Sequence, residues 1–152
     1  MENPVEIERK FLLDSLPFDL SVYKKQEITQ TYISIDPVIR LRQKNDKHYL
    51  TVKGAGTLSR KEMELEITSE QFHSLSEKRE TSIISKSRFI IPLEGGLNAE
   101  LDIYKSELFG LLTVEVEFSS IETAENFSPP NWFGTEVTGN PAYTNSNLAK
   151  RT

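Results

Sequence analysis

The 152-residue sequence contains no cysteine, so disulfide bridges and thiolate metal sites are excluded. It also has no long apolar run, and we therefore expect neither a signal peptide nor a membrane span. The lack of cysteine fits a reducing compartment. Together with the lack of a long apolar run, it predicts a cytoplasmic chain with no membrane partner.

A basic excess is missing as well. The net charge is −5, whereas a surface that binds nucleic acid by charge alone is usually basic, so no nucleic-acid partner is expected. The sequence also shows no Ser/His/Asp nucleophile set, and Gly54-x-Gly56 is too short for a phosphate-binding P-loop. His48 and His73 are isolated in the sequence, which argues against a histidine metal site.

What the sequence does contain is a series of segments in which apolar and polar residues alternate, as in strands with one buried face. Their connections are of hairpin length, such as the turn at Asn45-Asp46. We therefore expect a single mainly-β domain over residues 1–152, with an antiparallel sheet of eight strands that can close on itself. The segments are Val5–Leu13, Ile28–Ile35, Val38–Gln43, His48–Lys53, Lys61–Ile67, Thr81–Ile91, Asn98–Tyr104 and Leu111–Ser119.

Few helices are expected. Thr68-Ser69-Glu70-Gln71 has the pattern of a capping box and predicts a helix from about Ser69 to Lys78 that buries Phe72 and Leu75. A second short helix is predicted over residues 121–126. Asn140-Pro141 predicts the N-cap and first residue of one closing helix that carries Tyr143 and Leu148.

The alternation places many charged side chains on one face of the predicted sheet. One interpretation is that this face is the solvated outside of an amphipathic sheet. The other is that the sheet closes and the charged face becomes a lumen, in which carboxylates hold a divalent cation and basic groups bind a polyanion. The paired order of like charges, strand after strand, favours the second. The acids are Glu6, Glu8, Glu62, Glu64, Asp102, Glu115 and Glu117, and the bases are Lys10, Arg40, Arg42, Lys53, Lys86 and Arg88.

These residues resemble the motifs of the CYTH, or triphosphate tunnel metalloenzyme, family, and the resemblance spans nearly the whole chain. It implies a closed eight-stranded antiparallel β-tunnel with a few flanking helices, which binds triphosphate compounds with Mg²⁺ or Mn²⁺. The matching residues, in the order of the family, are Glu6-x-Glu8-x-Lys10, Gln30-x-Tyr32, Arg40-x-Arg42, Leu50-Thr51-x-Lys53, Arg60-x-Glu62-x-Glu64, Lys86-x-Arg88, Asp102, Glu115-x-Glu117 and the tail Glu136-Val137-Thr138-Gly139 with Tyr143 and Asn145.

The resemblance also implies roles. Glu6, Glu8 and Glu117 are similar to ligands of the principal metal, with Glu115 and Asp102 assisting directly or through water. The six basic residues named above are similar to a clamp on the triphosphate. Glu62 and Glu64 resemble acids that position a second metal or orient the attacking water, and Tyr32 with Lys53 resembles a catalytic dyad of thiamine-triphosphatase members.

The function that the resemblance implies is hydrolysis of inorganic tripolyphosphate to pyrophosphate and phosphate, by a monomer or a homodimer. Alternatives on the same fold are a class IV-type adenylate cyclase, a thiamine or nucleoside triphosphatase, and a non-catalytic module that binds polyphosphate. The short length and the tail favour the inorganic substrate, and no segment plainly supplies an adenine pocket.

Overall fold

Eight antiparallel strands form a closed barrel. In a computed structural model, which describes residues 5–150, the strands are β1 (Val5–Leu12), β2 (Lys24–Ser34), β3 (Val38–Lys44), β4 (Lys47–Lys53), β5 (Ser59–Ile67), β6 (Ile84–Pro92), β7 (Asn98–Tyr104) and β8 (Leu112–Glu117). Their order around the barrel is β1-β5-β4-β3-β2-β6-β7-β8. The predicted mainly-β class and closed eight-stranded architecture are confirmed. Residues 1–4 and 151–152 of the expected domain lie outside the described residues.

Closure results from β1, which pairs with β5 through its first residues and with β8 through its later ones. The hairpin of β3 and β4 turns at Asn45, whose φ of 55° lies in the left-handed region that asparagine tolerates. Its carbonyl-bearing side chain accepts a hydrogen bond of 3.0 Å from the Glu27 amide of β2. This turn fixes the register that places Arg40 opposite Thr51 and Arg42 opposite Tyr49.

The charged face of the strands points into the barrel. Lys53 is only 7% exposed and Asp102 is fully buried, whereas Met63 and Leu65 on the opposite face of β5 are 50% and 59% exposed. The interpretation of the charged face as the solvated outside of a sheet is therefore wrong. The physical reason is closure: in a barrel of this size the side chains of one face fill the interior.

The apolar face of the other half of the barrel is covered. Phe11, Leu101 and Val114 lie in a cluster with Leu20 from the connection between β1 and β2. Phe133 from the segment after β8 packs on Phe11 with ring centroids 4.9 Å apart. The main core thus lies outside the barrel wall, between β1, β6, β7, β8 and the loops that cross them.

Two helices agree with the sequence pattern. Helix α1 (Ser69–Ser76) has the predicted capping box at Thr68, and Phe72 is buried beneath it, with Leu75 half-buried. The ring of Phe72 packs on His48 of β4, at a centroid distance of 4.9 Å. Helix α2 (Ile121–Asn126) has the predicted bounds. No helix within residues 5–150 is long and apolar enough to cross a membrane.

The single closing helix was a wrong prediction, because the structure divides it in two. Pro141–Tyr143 form one 3-10 turn, capped by Asn140, and helix α3 (Asn145–Lys150) follows. Thr144 between them is extended, at φ −66° and ψ 145°. In that conformation its hydroxyl accepts a hydrogen bond from the Asn147 amide. Helix α3 therefore begins separately at Asn145, after the 3-10 turn has ended.

Helix α3 covers one end of the barrel, which we call the closed end. Its Leu148 and Ala149 are fully buried against Tyr32, Ile84 and Tyr104. The Lys10 ammonium donates a 2.7 Å hydrogen bond to the Tyr143 carbonyl, so the same segment also contacts β1. The Glu64 side chain is 45% exposed, and we call the side of the barrel where it meets solvent the open end.

Candidate active site

A cavity of about 340 Å³ lies inside the barrel, and we call it the lumen cavity. Side chains from every strand except β2 line it, and α3 adds one more. Ten of the predicted site residues meet there: Glu6, Glu8, Arg40, Arg42, Lys53, Glu62, Glu64, Arg88, Glu115 and Glu117. Residues that lie more than 100 positions apart in the sequence are thus brought to one space by closure of the barrel.

Four predicted site residues do not line the lumen cavity. Lys10 lines a second cavity, between the barrel and the segment of residues 137–145. Lys86 and Asp102 are fully buried in the barrel wall, paired with each other, and Tyr32 is buried in the apolar cluster at the closed end. Their predicted roles stay predictions.

Three carboxylates form what we call the carboxylate cluster. Glu6, Glu8 and Glu117 each place an oxygen atom within 4.8 Å of the others. Burial and then the neighbouring Glu115 raise the pKa of Glu8 well above its ordinary value. Burial and nearby carboxylates raise the pKa of Glu117 to about 7. Three like charges gathered in a half-buried space are unfavourable alone, and oxygen ligands of this kind suit a hard divalent cation.

Glu6 differs from its two neighbours in having cationic partners. Its carboxylate accepts hydrogen bonds of 3.0 Å from the Lys53 ammonium, and Arg60 Nε lies 3.4 Å away. Burial would raise the pKa of Glu6, but Lys53 and Arg60 outweigh it, and the pKa is lowered. Glu6 therefore stays ionised and links the carboxylate cluster to the basic groups.

Glu115 lies beside the carboxylate cluster and is charged for a different reason. Burial alone would raise its pKa, but Lys10, at 3.6 Å, and a hydrogen bond with Glu8 hold the pKa well below its ordinary value. Glu115 is thus an ionised acceptor next to a site that lacks positive charge.

In a second group, the Asp102 cluster, the carboxylate lies between two cations. Arg88 donates two hydrogen bonds of 2.8 and 2.9 Å to the two oxygens of Asp102. The Lys86 ammonium forms an ion pair with Asp102 at 2.8 Å. Burial alone would raise the pKa of Asp102, yet Arg88 and Lys86 lower it to about 2. Burial lowers the pKa of Lys86 to about 7, since the opposing effect of Asp102 is partly offset by the nearby charges of Arg88 and Arg42.

Two arginines of β3 carry positive charge that no carboxylate fully balances. Burial, with Arg40 and Arg88 nearby, lowers the pKa of Arg42 to about 10; its Nε donates to Gln30 at 2.9 Å. Arg40 donates from Nη2 to Thr51 at 3.3 Å, while its buried Nε has no hydrogen-bond partner in the described chain. Buried donors of this kind are costly unless an acceptor binds, and an anion with several oxygens provides such acceptors.

The predicted catalytic residues occupy different environments. Burial and then Glu6 raise the pKa of Glu62, whereas Glu64 accepts a hydrogen bond of 3.2 Å from Thr51. Tyr32 accepts from the Gln30 amide at 3.4 Å, and Lys53 bonds Glu6. Tyr32 and Lys53 thus have separate hydrogen-bond partners, and their dyad stays a prediction.

Sequence reasoning missed several cavity residues. Lys44 and Glu100 line the lumen cavity, and each lies two positions from a predicted residue on the same strand. Alternation places Glu100 on the charged face, but the sequence predicts no role for it, and Lys44 could have been identified in the same way. Asn145 also lines it, but no periodic signal identifies a residue that reaches the cavity from a terminal helix. Arg60, in the quoted motif but without an assigned role, contacts Glu6.

Comparison with known proteins agrees with the geometry. The sequence profile of the CYTH domain matches residues 4–128. This chain belongs to the CYTH domain family. Among curated relatives, the inorganic triphosphatase of Nitrosomonas europaea is 39% identical over 147 residues, which are 95% of this CYTH chain and 96% of the relative. The inorganic triphosphatase of Acetivibrio thermocellus is 39% identical over 149 residues, or 95% and 93% of the two chains.

Solved structures show the same CYTH barrel. The crystal structure of the inorganic triphosphatase NE1496 is similar with a TM-score of 0.69 and 35% identity, and it covers 98% of this chain and 97% of that one. The PH1819 protein of Pyrococcus horikoshii has a TM-score of 0.53 and 18% identity over 79% and 82% of the two chains. At that identity the likeness shows the fold alone.

Proposed function

We propose that this CYTH protein is a divalent-metal-dependent inorganic triphosphatase that hydrolyses tripolyphosphate to pyrophosphate and phosphate. The observation that supports the proposal is that one cavity contains both carboxylates with unbalanced negative charge and arginines with unbalanced positive charge. Within the carboxylate cluster, Glu8 and Glu117 have no ion-pair partner among the described residues. Of the two arginines, Arg40 and Arg42, only Arg40 has one, a long contact of 3.9 Å with Glu64. The two relatives named inorganic triphosphatase, each similar over nearly the whole chain, support the same substrate.

The donor set of the carboxylate cluster fits Mg²⁺ or Mn²⁺. Glu6, Glu8 and Glu117 would hold the ion, with Glu115 and Asp102 assisting directly or through water, and all of these groups offer the oxygen ligands that such ions prefer. A bound ion would supply positive charge that polarises the phosphate oxygens. It would also remove the repulsion that raises the pKa of Glu8 and Glu117.

The proposed substrate clamp consists of Lys10, Arg40, Arg42, Lys53, Lys86 and Arg88. The guanidinium groups of Arg40 and Arg42 line the lumen cavity, where they would donate hydrogen bonds to the oxygens of a triphosphate. The rate of phosphoanhydride hydrolysis depends on charge stabilisation at the leaving phosphate and on in-line placement of water. Because these cations are fixed before the substrate arrives, little reorganisation is needed during the reaction.

We assign the placement and deprotonation of the attacking water to Glu62 or Glu64. The raised pKa of Glu62 makes its carboxylate a better proton acceptor than an ordinary glutamate. Tyr32 and Lys53 form the competing assignment. Glu62→Gln and Glu64→Gln are measured at saturating metal, and we expect turnover to fall about 100-fold in one of them. Near-normal turnover in both would overturn the assignment.

The test of the function is phosphate release from tripolyphosphate, ATP, thiamine triphosphate and pyrophosphate, each with Mg²⁺, Mn²⁺ or chelator. We expect release from tripolyphosphate to be fastest and to stop with chelator. Formation of cyclic AMP and pyrophosphate from ATP would instead identify a cyclase. Binding of tripolyphosphate without release would identify a non-catalytic module.

The proposal includes a cytoplasmic location and a monomeric or homodimeric state. Light scattering coupled to size-exclusion chromatography measures the second directly, and a mass near 17.4 kDa indicates the monomer. A tetramer or larger assembly would contradict this part of the proposal and leave the chemistry unaffected.

A further inference from the structure

One side chain of the lumen cavity differs from the rest. Of the described residues that line it, Asn145 alone carries no formal charge, and it alone comes from a helix. Asn145 also lines the second cavity, of about 210 Å³, together with Glu8 and Glu115 of the lumen cavity. These three shared residues form the wall where the two cavities meet, so Asn145 lies at the inner end of the lumen.

The orientation of the Asn145 amide is set by a chain of hydroxyl groups. Thr113, fully buried on β8, donates to the Tyr104 hydroxyl at 3.5 Å. Tyr104 in turn donates to Asn145 Oδ1 at 3.1 Å. With its oxygen engaged, the amide presents its NH₂ group, which can donate two hydrogen bonds. Within residues 5–150 the structure gives the Asn145 side chain no other hydrogen bond.

Tyr104 is itself held firmly. It is buried in the closed-end cluster with Leu148 and Ala149, and the Lys86 ammonium lies 5.2 Å from the centre of its ring. The tyrosine therefore cannot rotate away without opening the contact between α3 and the barrel. This rigidity fixes a neutral donor next to Glu8 and Glu115.

Resting on the proposed triphosphatase function, we propose that the Asn145 amide binds the terminal phosphate of the substrate and limits the lumen to chains of three phosphates. Tyr104 is the positioning residue that orients this amide. A neutral donor suits the place, because it can bind a phosphate oxygen beside Glu8 and Glu115 without forming an ion pair with either. A chain of phosphates entering from the open end meets the amide at the wall between the two cavities.

The direct test compares tripolyphosphate with tetrapolyphosphate in Asn145→Ala. Loss of the donor is expected to lower kcat/KM for tripolyphosphate about tenfold, mainly through KM. Because the variant no longer blocks the end of the lumen, kcat/KM for tetrapolyphosphate is expected to fall less. The ratio of kcat/KM for tetrapolyphosphate to that for tripolyphosphate, the tetra-to-tri ratio, is therefore expected to rise about fivefold or more. Asn145→Asp keeps the shape but adds a negative charge, and we expect a loss of about 100-fold for both substrates.

Tyr104→Phe tests the positioning role. It removes one oxygen from a buried site and leaves the ring in place, and KM for tripolyphosphate is expected to rise several-fold with kcat unchanged. In the Asn145→Ala background the same change is expected to have no effect on KM, since there is no amide left to orient. An equal rise of KM in both backgrounds would show that Tyr104 acts independently of Asn145.

Asn147→Ala is the matched control on the same helix. The Asn147 side chain donates to the Pro141 carbonyl at 2.7 Å and lines neither cavity. We expect the tetra-to-tri ratio to stay at the wild-type value in this variant. An unchanged ratio in Asn145→Ala, or an equal rise in Asn147→Ala, would overturn the inference.

Failure of the inference is separable from failure of the proposed function. Calorimetric affinities of both polyphosphates for wild type and Asn145→Ala, measured with chelator, give the same ratio without turnover. A wild type that binds but releases no phosphate would overturn the hydrolase proposal, and the ratio of affinities would still decide the role of Asn145. Wild-type protein that binds neither polyphosphate would overturn both.

Discussion

The Asp102 cluster and the carboxylate cluster lie in one barrel, yet their charges are arranged in opposite ways. Asp102 is surrounded by Arg88 and Lys86, and its pKa is lowered to about 2. Glu8 and Glu117 lie beside other carboxylates, and the pKa of Glu117 is raised to about 7. The first cluster has its opposite charges within the protein. The second becomes favourable only when a cation binds, which is the property expected of a ligand site.

The largest expected effect on stability comes from removing the carboxylate of the Asp102 cluster. Asp102→Asn leaves Lys86 buried without its counter-charge and Arg88 with Glu100 alone, and we expect the free energy of unfolding to fall by about 3 to 5 kcal/mol. Urea denaturation at neutral pH measures it. A loss below about 1 kcal/mol would show that the cations find other partners, and the two clusters would then not differ in the way described.

The two clusters are expected to give the free energy of unfolding opposite dependences on pH. In the metal-free protein the folded state keeps a proton on Glu117 up to a pKa of about 7, while the unfolded chain loses it near the ordinary value of 4.5. The folded state thus binds more protons between these pH values, and the free energy of unfolding falls as pH rises from 4.5 to 7. Asp102 has the opposite dependence, but its contribution is lost only as pH falls from 3.8 to about 2.

Urea denaturation in chelator across pH 4.5 to 7 checks this sign. Glu117→Gln is expected to make the decline shallower, because one of the groups with a raised pKa is gone while Glu8 and Glu62 remain. Glu27→Gln is the matched control, since the pKa of Glu27 is lowered to about 2 by a hydrogen bond from Lys105 and it titrates outside this window. A decline of the same steepness in Glu117→Gln as in wild type would contradict the assignment.

A smaller effect is expected at the ion pair that attaches the C-terminal segment to the outside of β1. Arg9 donates hydrogen bonds of 2.8 and 2.7 Å to the two oxygens of Glu136, and two more of 2.9 Å to the Ala124 and Phe127 carbonyls. Arg9→Lys keeps the charge but loses the bidentate hydrogen bonds, and we expect the free energy of unfolding to fall by about 1 to 2 kcal/mol. Hydrogen exchange is expected to speed up in residues 135–150. Unchanged exchange there would show that α3 is held without Arg9.

The smallest effect is expected at the exposed pair of Lys105 and Glu27, whose atoms are 2.8 Å apart. Both side chains are about half exposed, so solvent screens their attraction. Glu27→Gln is expected to change the free energy of unfolding by about 0.5 kcal/mol or less. A loss as large as that of Asp102→Asn would mean that burial does not distinguish the ion pairs of this barrel.

Much of the barrel could be predicted from the sequence, because alternation identifies strands and short turns indicate antiparallel neighbours. Alternation alone does not say which face is inside. That depends on closure through β1, which pairs with two strands far away in the sequence. The pairing of Asp102 with Arg88 depends on the register of β6 and β7, which no single segment specifies.

The part of the site that could not be predicted comes from the C-terminal segment. The break at Thr144 reflects a side chain that caps the next turn, and the pattern of Asn140-Pro141 indicates only where the first turn begins. Asn145 then reaches the lumen through tertiary packing of Leu148 and Ala149. Local sequence carries no signal for that contact.

The most direct test of the account is a calorimetric titration of Mn²⁺ into wild-type protein, Glu8→Gln and Glu100→Gln. Glu100 lines the same lumen cavity but is paired with Arg88 at 3.0 Å and lies outside the carboxylate cluster. We predict that wild type and Glu100→Gln bind Mn²⁺ with similar affinity, and that Glu8→Gln binds it at least about tenfold more weakly. Equal affinity in all three proteins would contradict the claim that the carboxylate cluster holds the metal.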